Sequence, residues 1–409
     1  MITTRRENAI QNHELCWAQM ALRLARRGYG MTSPNPMVGA VLVKGGKLIG
    51  RGWHRRAGLP HAEIEALRDA QKHGHNPRGA TLYVTLEPCS TDGRTPPCTE
   101  AIIAAGIKRV VIGATDPNPK HAGKGFKILK RAGIEVTRWG ERPRELKHGP
   151  SAAPPRQKIT GECAKLNEAF NHWIVHRLPF ITVKTAMTLD GKIATASGES
   201  KWITGEKARA YGMKLRQGND AILVGVNTVL ADDPSLTART KTEDGGWRMK
   251  KPIRRIVLDS MARTPLTATV VSDPHAALTT IVVGKHAPKQ RVAALAKHVK
   301  VLVAPLAKNR SPATRHPSLD LHWLLKKLGA ENVTSLLVEG GGEVNASFLS
   351  GGFAQRVVFF YAPKVLGGRD SRKGVAGDGV TRLEDVIQLR DPEWQRCGKD
   401  LLLTASVAS

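Results

Sequence analysis

Cysteine is scarce in this chain, which has only five among 409 residues. A small and odd number of cysteines in a long sequence excludes the disulfide framework of small secreted domains. Cys16, Cys163 and Cys397 stand in no recognisable pattern, and we interpret them as ordinary buried or surface thiols. Cys89 and Cys98 remain, and each directly follows a proline.

Long apolar runs are also missing. The apolar stretches, such as 221–226 and 401–403, are much shorter than the ~20 residues that a membrane-spanning helix needs. The N-terminus carries Arg5, Arg6 and Glu7 but lacks the apolar core and small-residue cleavage site of a secretion signal. We therefore expect a cytoplasmic protein without a membrane partner.

Acidic and aromatic residues are both few. Lysine and arginine number 63 against 35 acidic residues, which gives a formal net charge of +28, and aromatic residues make up 5%. Such a charge would suit a protein that binds a polyanion. The basic residues are scattered, however, with only local clusters such as 138–147 and 248–255, and aromatic stacking platforms for single-stranded nucleic acid are scarce. We predict no specific nucleic-acid partner and interpret the charge as attracting small phosphorylated ligands.

The length of the chain indicates two domains, because a domain usually has roughly 100 to 200 residues. A hydrophobic content of 41% suffices for two cores. We also expect a homo-oligomer, although no residue pattern specifies the number of subunits.

Three potential metal ligands stand in the first half of the chain. His61-Ala62-Glu63 is followed by Cys89 and then by Cys98. Structural zinc usually has four protein ligands, whereas catalytic zinc has three and leaves a position for water, so this set favours catalysis. Zinc nucleobase deaminases also use a glutamate that is not a ligand to move protons, and Glu63 suits that role. The alternative is two buried cysteines and a helix-borne histidine that bind no metal.

The residues around these ligands predict alternating strands and helices, which indicate an α/β layered domain. Strands are expected at 40–43, 81–86, 110–113 and 133–137, and helices at 14–27, 61–70 and 99–105. Asn35 lies between Pro34 and Pro36. It is either a turn residue or a rigidly held amide that reads the edge of a heterocycle.

Four segments resemble the deaminase half of the bifunctional riboflavin-biosynthesis deaminase/reductase family: 32–39, 61–63, 87–98 and 116–125. The eight residues between Cys89 and Cys98 make the resemblance specific, because nucleic-acid deaminases have only two residues there. The resemblance implies a cytidine-deaminase-like three-layer α/β/α domain, in which His61, Cys89 and Cys98 bind zinc and Glu63 is catalytic.

The substrate contacts of this domain are expected at Asn35 and His54. A member of the family usually carries a histidine where Thr91 stands, so the contact that this histidine makes in the substrate pocket is left open here. The zinc ligands are unaffected by this difference.

Residues 141–158 are rich in basic residues and proline and show no periodicity. They predict an exposed basic insertion, with a tether for RNA as the alternative. A helix over 160–177 should close the first domain, and Leu178-Pro179 should open the second. The expected domains are therefore 1–177 and 178–409.

The second half again alternates strands and helices. Strands are expected at 180–187, 221–225, 255–259, 280–284, 299–304, 335–339 and 356–362. Three glycines, Gly340 to Gly342, separate one of these strands from the start of a helix. Glycines in this position let a phosphate approach the N–H groups at the positive end of a helix, or they form only a turn.

Together with the segments 189–192, 199–204 and 231–234, this glycine turn resembles the reductase half of the same family. The resemblance implies a dihydrofolate-reductase-like α/β fold that uses NADPH. By matching positions, NADPH would be held by Ala186, Trp202, Thr228, Asp232, Ser260, Gly341, Gly342, Glu343, Val344, Asn345, Ala346 and Ser347. The substrate site would be lined by Ser200, Arg216, Leu236, Arg239 and Glu339. Asp232 could instead serve only as a helix or turn cap.

The predicted function is a bifunctional enzyme of riboflavin biosynthesis. The first domain would be a zinc-dependent pyrimidine deaminase that removes the exocyclic amine of a diaminopyrimidinone bearing a phosphorylated ribosylamino group. The second would be an NADPH-dependent reductase that converts the ribosyl group to a ribityl chain, with Arg216 and Arg239 holding the phosphate.

Two alternatives remain for the function. A tRNA-type zinc deaminase with a basic RNA-binding C-terminal domain would explain the charge, but it requires closer cysteines and more aromatic residues. A zinc-stabilised binding protein without catalysis would not need Glu63.

Overall fold

The computed structural model describes residues 2–91, 96–139, 154–241, 247–249, 251–307 and 319–408. Backbone proximity divides the chain into two units, Met1–His176 and Arg177–Ser409. No helix in the described ranges is long and apolar enough to cross a bilayer.

The first unit is built on a five-stranded sheet. Its strands are β1 (Gly39–Lys44), β2 (Lys47–Trp53), β3 (Thr81–Leu86), β4 (Arg109–Ala114) and β5 (Glu135–Arg138). They lie in the order β2-β1-β3-β4-β5. β1 pairs antiparallel with β2 and β3, whereas β3, β4 and β5 run parallel.

Helices cover both faces of this sheet, because each has an apolar stripe to bury. The helices are α1 (Ile2–Arg26), α2 (Ala62–Lys72), α3 (Cys98–Ala104), α4 (Lys124–Arg131), α5 (Pro154–Leu166) and α6 (Glu168–His176). Ala21 of α1 and Cys163 of α5 pack in one apolar cluster, and Ala66 of α2, Ile102 of α3 and Leu129 of α4 in another. The first unit is thus a three-layer α/β/α structure.

The second unit is built on a larger sheet and two short strand pairs. The strands of the large sheet are β6 (Phe180–Thr188), β8 (Ala221–Gly225), β11 (Arg254–Leu258), β12 (Thr279–Gly284), β13 (Lys300–Ala304), β14 (Ser335–Val338), β15 (Arg356–Ala362), β17 (Leu389–Cys397) and β18 (Asp400–Val407). β7 (Lys192–Ala194) pairs with β16 (Arg372–Lys373), and β9 (Arg239–Lys241) pairs with β10 (Trp247–Met249).

The order of the large sheet is β13-β12-β11-β8-β14-β6-β15-β18-β17. Its first seven strands run parallel, and β18 and β17 are antiparallel additions. The helices of this unit are α7 (Glu206–Gly218), α8 (Val226–Asp232), α9 (Thr269–Ser272), α10 (Lys289–Ala296), α11 (Leu321–Ala330) and α12 (Gly342–Ser350). Because parallel strands end at the same edge, the loops after β6, β8, β11 and β14 meet there.

The observed elements differ from the expected ones in several places. Helix α1 begins at Ile2, well before the expected start at residue 14, and five strands were not expected, namely β7, β9, β10, β16 and β18. The helix expected over 160–177 is two helices, α5 and α6, and Asn167 lies between them. Of the basic insertion expected at 141–158, residues 141–153 lie outside the described part, and 154–158 belong to α5. β17 was not predicted, because this exposed edge strand lacks the apolar alternation that reveals a half-buried strand.

One buried ion pair anchors β11 of the second unit. The guanidinium of Arg255 is fully buried and binds both carboxylate oxygens of Asp273, at 2.7 and 2.8 Å. It also donates to Thr279 Oγ1 at 2.8 Å and to the Ser235 carbonyl at 3.1 Å. The charge of Arg255 is therefore tolerated only because each side of it has an acceptor.

We predict that Asp273→Ala destabilises the second unit by ~3 kcal/mol, because it leaves a buried guanidinium without its carboxylate. For a unit of this size, this loss corresponds to a decrease in Tm of roughly 6–12 °C, measurable by calorimetry. The matched control is Asp385→Ala, which breaks an exposed pair with Arg382 and should cost less than ~1 kcal/mol. Equal effects of the two substitutions would contradict the prediction.

Candidate active sites

Two glycines of β2 let α2 approach the sheet closely enough to place the first site. A Cβ added at Gly50 would lie 2.4 Å from the Ala66 carbonyl oxygen, and one added at Gly52 would lie 2.5 Å from that of Ala62. Real Cβ atoms do not approach backbone oxygens so closely. The N-terminal end of α2 is therefore fixed against the sheet, and His61 is the residue that precedes its first turn.

The side chains of His61, Cys89 and Cys98 converge at this point. The Nδ1 atom of His61 lies 3.3 Å from the Sγ of Cys98 and 3.5 Å from the Sγ of Cys89. The ligand atoms of all three residues lie within 4.8 Å of one another. Cys89 comes from the loop after β3, and Cys98 is the first residue of α3. The structure thus brings together the three residues that the sequence predicted as metal ligands.

The groups around Cys89 stabilise the thiolate form of its side chain. A hydrogen bond from the Cys98 thiol, with further help from His61, lowers the pKa of Cys89 to about 4. The same hydrogen bond and burial raise the pKa of Cys98, and the hydrogen bond to Cys89 raises the pKa of His61. The backbone N–H of Cys98 also donates to the Sγ of Cys89 at 3.2 Å. The negative charge therefore lies mainly on Cys89.

Glu63 is buried beside these ligands and is 3% exposed. Burial, followed by the negative charge of Cys89, raises the pKa of its carboxyl group to about 7. Its side chain hydrogen-bonds with that of Cys98. A carboxyl group held in a dry site next to three potential metal ligands can accept or release a proton there.

Asn35 and His54, the expected substrate contacts, bind one another at 3.2 Å between Nδ2 and Nε2. The Nδ1 of His54 lies 3.1 Å from the Pro60 carbonyl, so Nδ1 carries the proton and donates it to that oxygen. Burial lowers the pKa of His54, and the Nε2 of a neutral imidazole then accepts a hydrogen bond from the Asn35 amide. His54 thereby orients Asn35, and its ring lies 5.2 Å from that of His61.

Glu87 and Thr91 connect the loop that carries Cys89 to the loop after β4. Glu87 is buried, and its carboxylate accepts hydrogen bonds from the backbone of Asp116, Gly123 and Gly125, which holds that loop beside Cys89. The hydroxyl of Thr91 lies 3.5 Å from the Nδ1 of His121 in the same loop. The sequence placed these residues within recognised segments but did not show that the two segments face each other.

The second unit has a cleft of about 560 Å³ at the edge where its parallel strands end. Predicted cofactor and substrate residues lie together along it, namely Ser200, Thr228, Asp232, Ser260, Gly341, Gly342, Glu343 and Val344. The other predicted cofactor residues lie outside its lining, namely Ala186, Trp202, Asn345, Ala346 and Ser347. The indole of Trp202 is exposed and stacks under Arg209, and the amide of buried Asn345 donates to the Gly374 carbonyl.

Cationic side chains that the sequence analysis missed also line the cleft. They are Arg263, Arg372 and Lys373. The last two belong to β16, a strand of two residues whose sequence gives no periodic pattern. The cleft therefore presents positive charge next to its glycine turn.

Asp232 lies at the C-terminal end of α8, so it does not cap the start of a helix. Its carboxylate accepts a hydrogen bond from the Ser200 hydroxyl at 3.2 Å, and the ammonium of Lys201 lies 3.8 Å away. A negative charge at a helix C-terminus is electrostatically unfavourable. Asp232 is therefore better explained by its contacts in the cleft than by capping.

Arg216 and Glu339 form a partly buried ion pair. Their shortest contact is 2.7 Å, between Nη2 and Oε2, and Arg216 also donates to the Thr237 carbonyl at 3.2 Å. Burial opposes ionisation of Glu339, but the charges of Arg216 and Lys184 outweigh it and lower the pKa of Glu339 to about 2. The guanidinium that we expected to hold a phosphate thus contacts a carboxylate.

The remaining two expected substrate residues flank Thr237. Leu236 is buried in the apolar core, and Arg239 is exposed with its guanidinium 3.3 Å from the Ser235 hydroxyl. Only Arg239 of the two predicted arginines therefore presents its charge to solvent.

The glycine turn leaves space for a ligand. A Cβ added at Gly341 would meet no atom within 4 Å, whereas one at Gly342 would lie 2.3 Å from the Lys373 carbonyl oxygen. Gly341 is the N-cap of α12, where the first backbone N–H groups of a helix have no partner within the helix. The turn thus offers N–H donors at the positive end of a helix that faces a cleft.

Two family models match the chain. Residues 11–114 match the cytidine and deoxycytidylate deaminase zinc-binding region, and residues 179–403 match the RibD C-terminal domain. The first match contains the cluster of His61, Cys89 and Cys98, and the second contains the cleft.

Relatives match over nearly their whole length. The chain is 41% identical to riboflavin biosynthesis protein RibD of Aquifex aeolicus, over 95% of this chain and 96% of that protein. It is 39% identical to RibD of Actinobacillus pleuropneumoniae, over 97% of this chain and 96% of that protein.

Solved structures show the same two-domain architecture. Acinetobacter baumannii RibD, at 32% identity, has a TM-score of 0.77 and covers 97% of this chain and 99% of its own. The deaminase/reductase from Thermotoga maritima, also at 32% identity, has a TM-score of 0.74 and covers 97% of this chain and 100% of its own. The predicted fold class, a deaminase-like domain followed by a reductase domain, is confirmed.

Proposed function

The chain belongs to the RibD family of riboflavin biosynthesis proteins and is a bifunctional deaminase and reductase, and we propose that its two units divide these activities. In this proposal residues 1–177 form a zinc-dependent pyrimidine deaminase domain and residues 178–409 an NADPH-dependent reductase domain. The observation that supports it best is the convergence of His61, Cys89 and Cys98 beside a buried Glu63.

The donor set of the first unit fits zinc. Tetrahedral coordination with Zn–N of about 2.0 Å and Zn–S of about 2.3 Å requires N···S distances of about 3.5 Å. The two N···S distances here are 3.3 and 3.5 Å. One imidazole and two soft thiols also favour zinc over magnesium or calcium. His61, Cys89 and Cys98 would therefore hold zinc and leave the fourth position open.

The roles in the deamination follow from the positions of the side chains. Zinc, when bound, supplies Lewis-acid activation that lowers the pKa of a water molecule toward ~7. The carboxylate of Glu63 would take a proton from the attacking water molecule and give it to the departing amine nitrogen, which leaves as ammonia when its bond to the ring carbon breaks. The amide of Asn35, oriented by His54, binds the edge of the pyrimidine. The substrate is a small phosphorylated diaminopyrimidinone, and a membrane or specific nucleic-acid partner is not required.

The roles of individual residues in the reduction follow from their positions in and near the cleft of the second unit. NADPH, when bound, supplies the hydride that reduces the ribosyl group. Gly341 and the start of α12 would hold its phosphates, with Thr228, Asp232 and Ser260 along the same cleft. The cationic lining formed by Arg263, Arg372 and Lys373 favours NADPH over NADH, because NADPH carries an additional phosphate. Glu339, kept ionised by Arg216, would accept hydrogen bonds from the sugar hydroxyls. Arg239, whose side chain is exposed, would bind the substrate phosphate.

The alternative of a tRNA-type deaminase is not favoured. The second unit matches a reductase family over residues 179–403, and the likeness to bifunctional relatives covers both halves of the chain. The positive charge of the chain therefore requires no RNA partner.

A direct test is to incubate the purified protein with the phosphorylated diaminopyrimidinone and identify the products by mass. We expect deamination alone without NADPH, and deamination followed by reduction of the ribosyl group with NADPH. Absence of ammonia release from a zinc-loaded protein would refute the deaminase assignment, and absence of NADPH oxidation with the deaminated compound would refute the reductase assignment.

Glu63→Gln and Cys98→Ser should separate proton transfer from metal binding. We predict that Glu63→Gln retains one zinc per chain but loses deamination by at least ~100-fold, the scale of general acid–base catalysis. Cys98→Ser should lose both zinc and deamination, because a three-ligand site cannot replace a thiolate. Zinc is measured by elemental analysis and ammonia by an enzymatic assay. The reductase activity of both variants is the internal control. Loss of zinc from Glu63→Gln would make Glu63 a ligand.

Gly341→Val should weaken NADPH binding without unfolding the protein. The new side chain meets no protein atom within 4 Å of its Cβ, so it enters the space that the cofactor would occupy. We expect Kd for NADPH, measured by fluorescence titration, to rise at least ~10-fold, which is ~1.4 kcal/mol. The lost glycine cap costs at most ~1 kcal/mol, or roughly 2–4 °C in Tm.

The matched control for Gly341→Val is Gly161→Ala. Gly161 lies in α5, and its added Cβ likewise meets no atom within 4 Å. This variant should bind NADPH as the unmodified protein does. An unchanged Kd in Gly341→Val would place the cofactor phosphates elsewhere.

A further inference from the structure

Asn167 binds both backbone polar groups of Met37, its N–H and its carbonyl. Its Oδ1 accepts a hydrogen bond from the Met37 N–H at 2.7 Å, and its Nδ2 donates to the Met37 carbonyl at 2.9 Å. Asn167 is 5% exposed and lies 130 residues further along the chain, between α5 and α6. A buried amide that uses both of its functional groups on one backbone residue holds that residue in place.

Met37 closes the loop that carries Asn35. Pro34 and Pro36 have no N–H group, so the loop from 34 to 37 has only two backbone donors. The Asn35 N–H binds the Thr32 carbonyl at 2.8 Å, and the Met37 N–H binds Asn167. Asn167 therefore supplies the acceptor for one of the two donors that can fix this loop.

The next residues connect the loop to the substrate contacts. The Val38 carbonyl accepts a hydrogen bond from the backbone N–H of His54 at 2.9 Å, and His54 Nε2 binds the Asn35 amide. Met37 lies between Asn35 and Val38, and both of these residues hydrogen-bond to His54. A shift of Met37 would thus displace the Asn35 amide relative to the His54 ring. His61, Cys89 and Cys98 lie outside this loop, at the start of α2, after β3 and at the start of α3, and the hydrogen bonds of Asn167 to Met37 do not involve them.

We propose that Asn167 is a positioning residue of the deaminase, which acts on the substrate through Met37 and Asn35. This inference rests on the proposed deaminase function of the first unit. Because the Asn35 amide would bind the pyrimidine equally before and during the reaction, its misplacement raises KM and leaves kcat nearly unchanged.

The experiment compares the deaminase kinetics of three variants of the full-length, zinc-loaded protein. Asn167→Ala removes both hydrogen bonds to Met37. Asn167→Asp has the same shape but places a second oxygen against the Met37 carbonyl. The matched control is Asn171→Ala, which removes a nearby amide that donates to the Ala164 carbonyl instead. Zinc content and reductase kinetics are measured on each variant.

We expect KM for the phosphorylated diaminopyrimidinone to rise about tenfold in both Asn167 variants, the scale of one or two lost hydrogen bonds. The value of kcat should fall less than about threefold, and zinc content and reductase kinetics should stay unchanged. Asn171→Ala should match the unmodified protein. If Asn167→Ala does not fold, the isosteric Asn167→Asp decides the question.

Two results would overturn the inference. A KM unchanged in Asn167→Asp would show that the loop does not depend on this amide. A parallel loss of zinc, reductase activity and deamination would show that Asn167 supports general stability. If the unmodified, zinc-loaded protein releases no ammonia, the proposed deaminase function itself fails. This outcome is distinct from failure of the inference about Asn167, because it is observed without any substitution.

Discussion

The crowding of ionisable side chains at the end of β3 is the constraint to which the first unit responds. Partly buried Cys89 lies among groups that lower the pKa of its thiol, namely the Cys98 thiol, His61 and the backbone N–H of Cys98. The start of α2 lies close enough to take part only because Gly50 and Gly52 carry no Cβ. The same burial keeps Glu63 from ionising fully at neutral pH. A cation would relieve all of these interactions at once, which explains why the three ligands and the carboxyl group lie together.

The second unit follows a different constraint: an open parallel sheet binds ligands at the carboxyl ends of its strands. β8 and β14 are neighbours in the sheet although three strands of the same sheet separate them in sequence, and such reversals of strand order open a crevice at the carboxyl ends. Gly225 ends β8, and Gly341 follows β14 at that crevice. Arg216 and Glu339 bury their charges beside it by pairing with each other. The fold therefore concentrates fixed charge and backbone donors where the substrate and cofactor of a reductase must meet.

The sequence predicted the parts of each site that lie within a continuous segment. The ligands His61, Cys89 and Cys98 were predictable because each stands in a short motif of distinctive spacing, and most of the core strands were predictable because they are apolar runs. Contacts between distant segments were not. Arg216 and Glu339 were both named, but nothing in their sequence contexts shows that they pair. Arg372 and Lys373 of the cleft lie on a strand of two residues, which is too short to have a periodicity.

Both units fix a loop that carries predicted substrate residues in the same way, with a largely buried side chain that binds the backbone of a loop distant in sequence. Asn167 holds Met37 in the first unit, and in the second Arg255 holds the Ser235 carbonyl while Arg216 holds that of Thr237. Backbone atoms are present whatever the sequence of the loop, so these contacts constrain the conformation of the loop and leave its side chains available for the ligand. Asn167 and Arg255 therefore shape these loops although neither stands in a recognised motif. Asn167 occupies the break between α5 and α6, and a continuous helix would point this amide in another direction. The interruption that the helical pattern did not predict is therefore the feature that allows the first unit to hold the loop that carries Asn35.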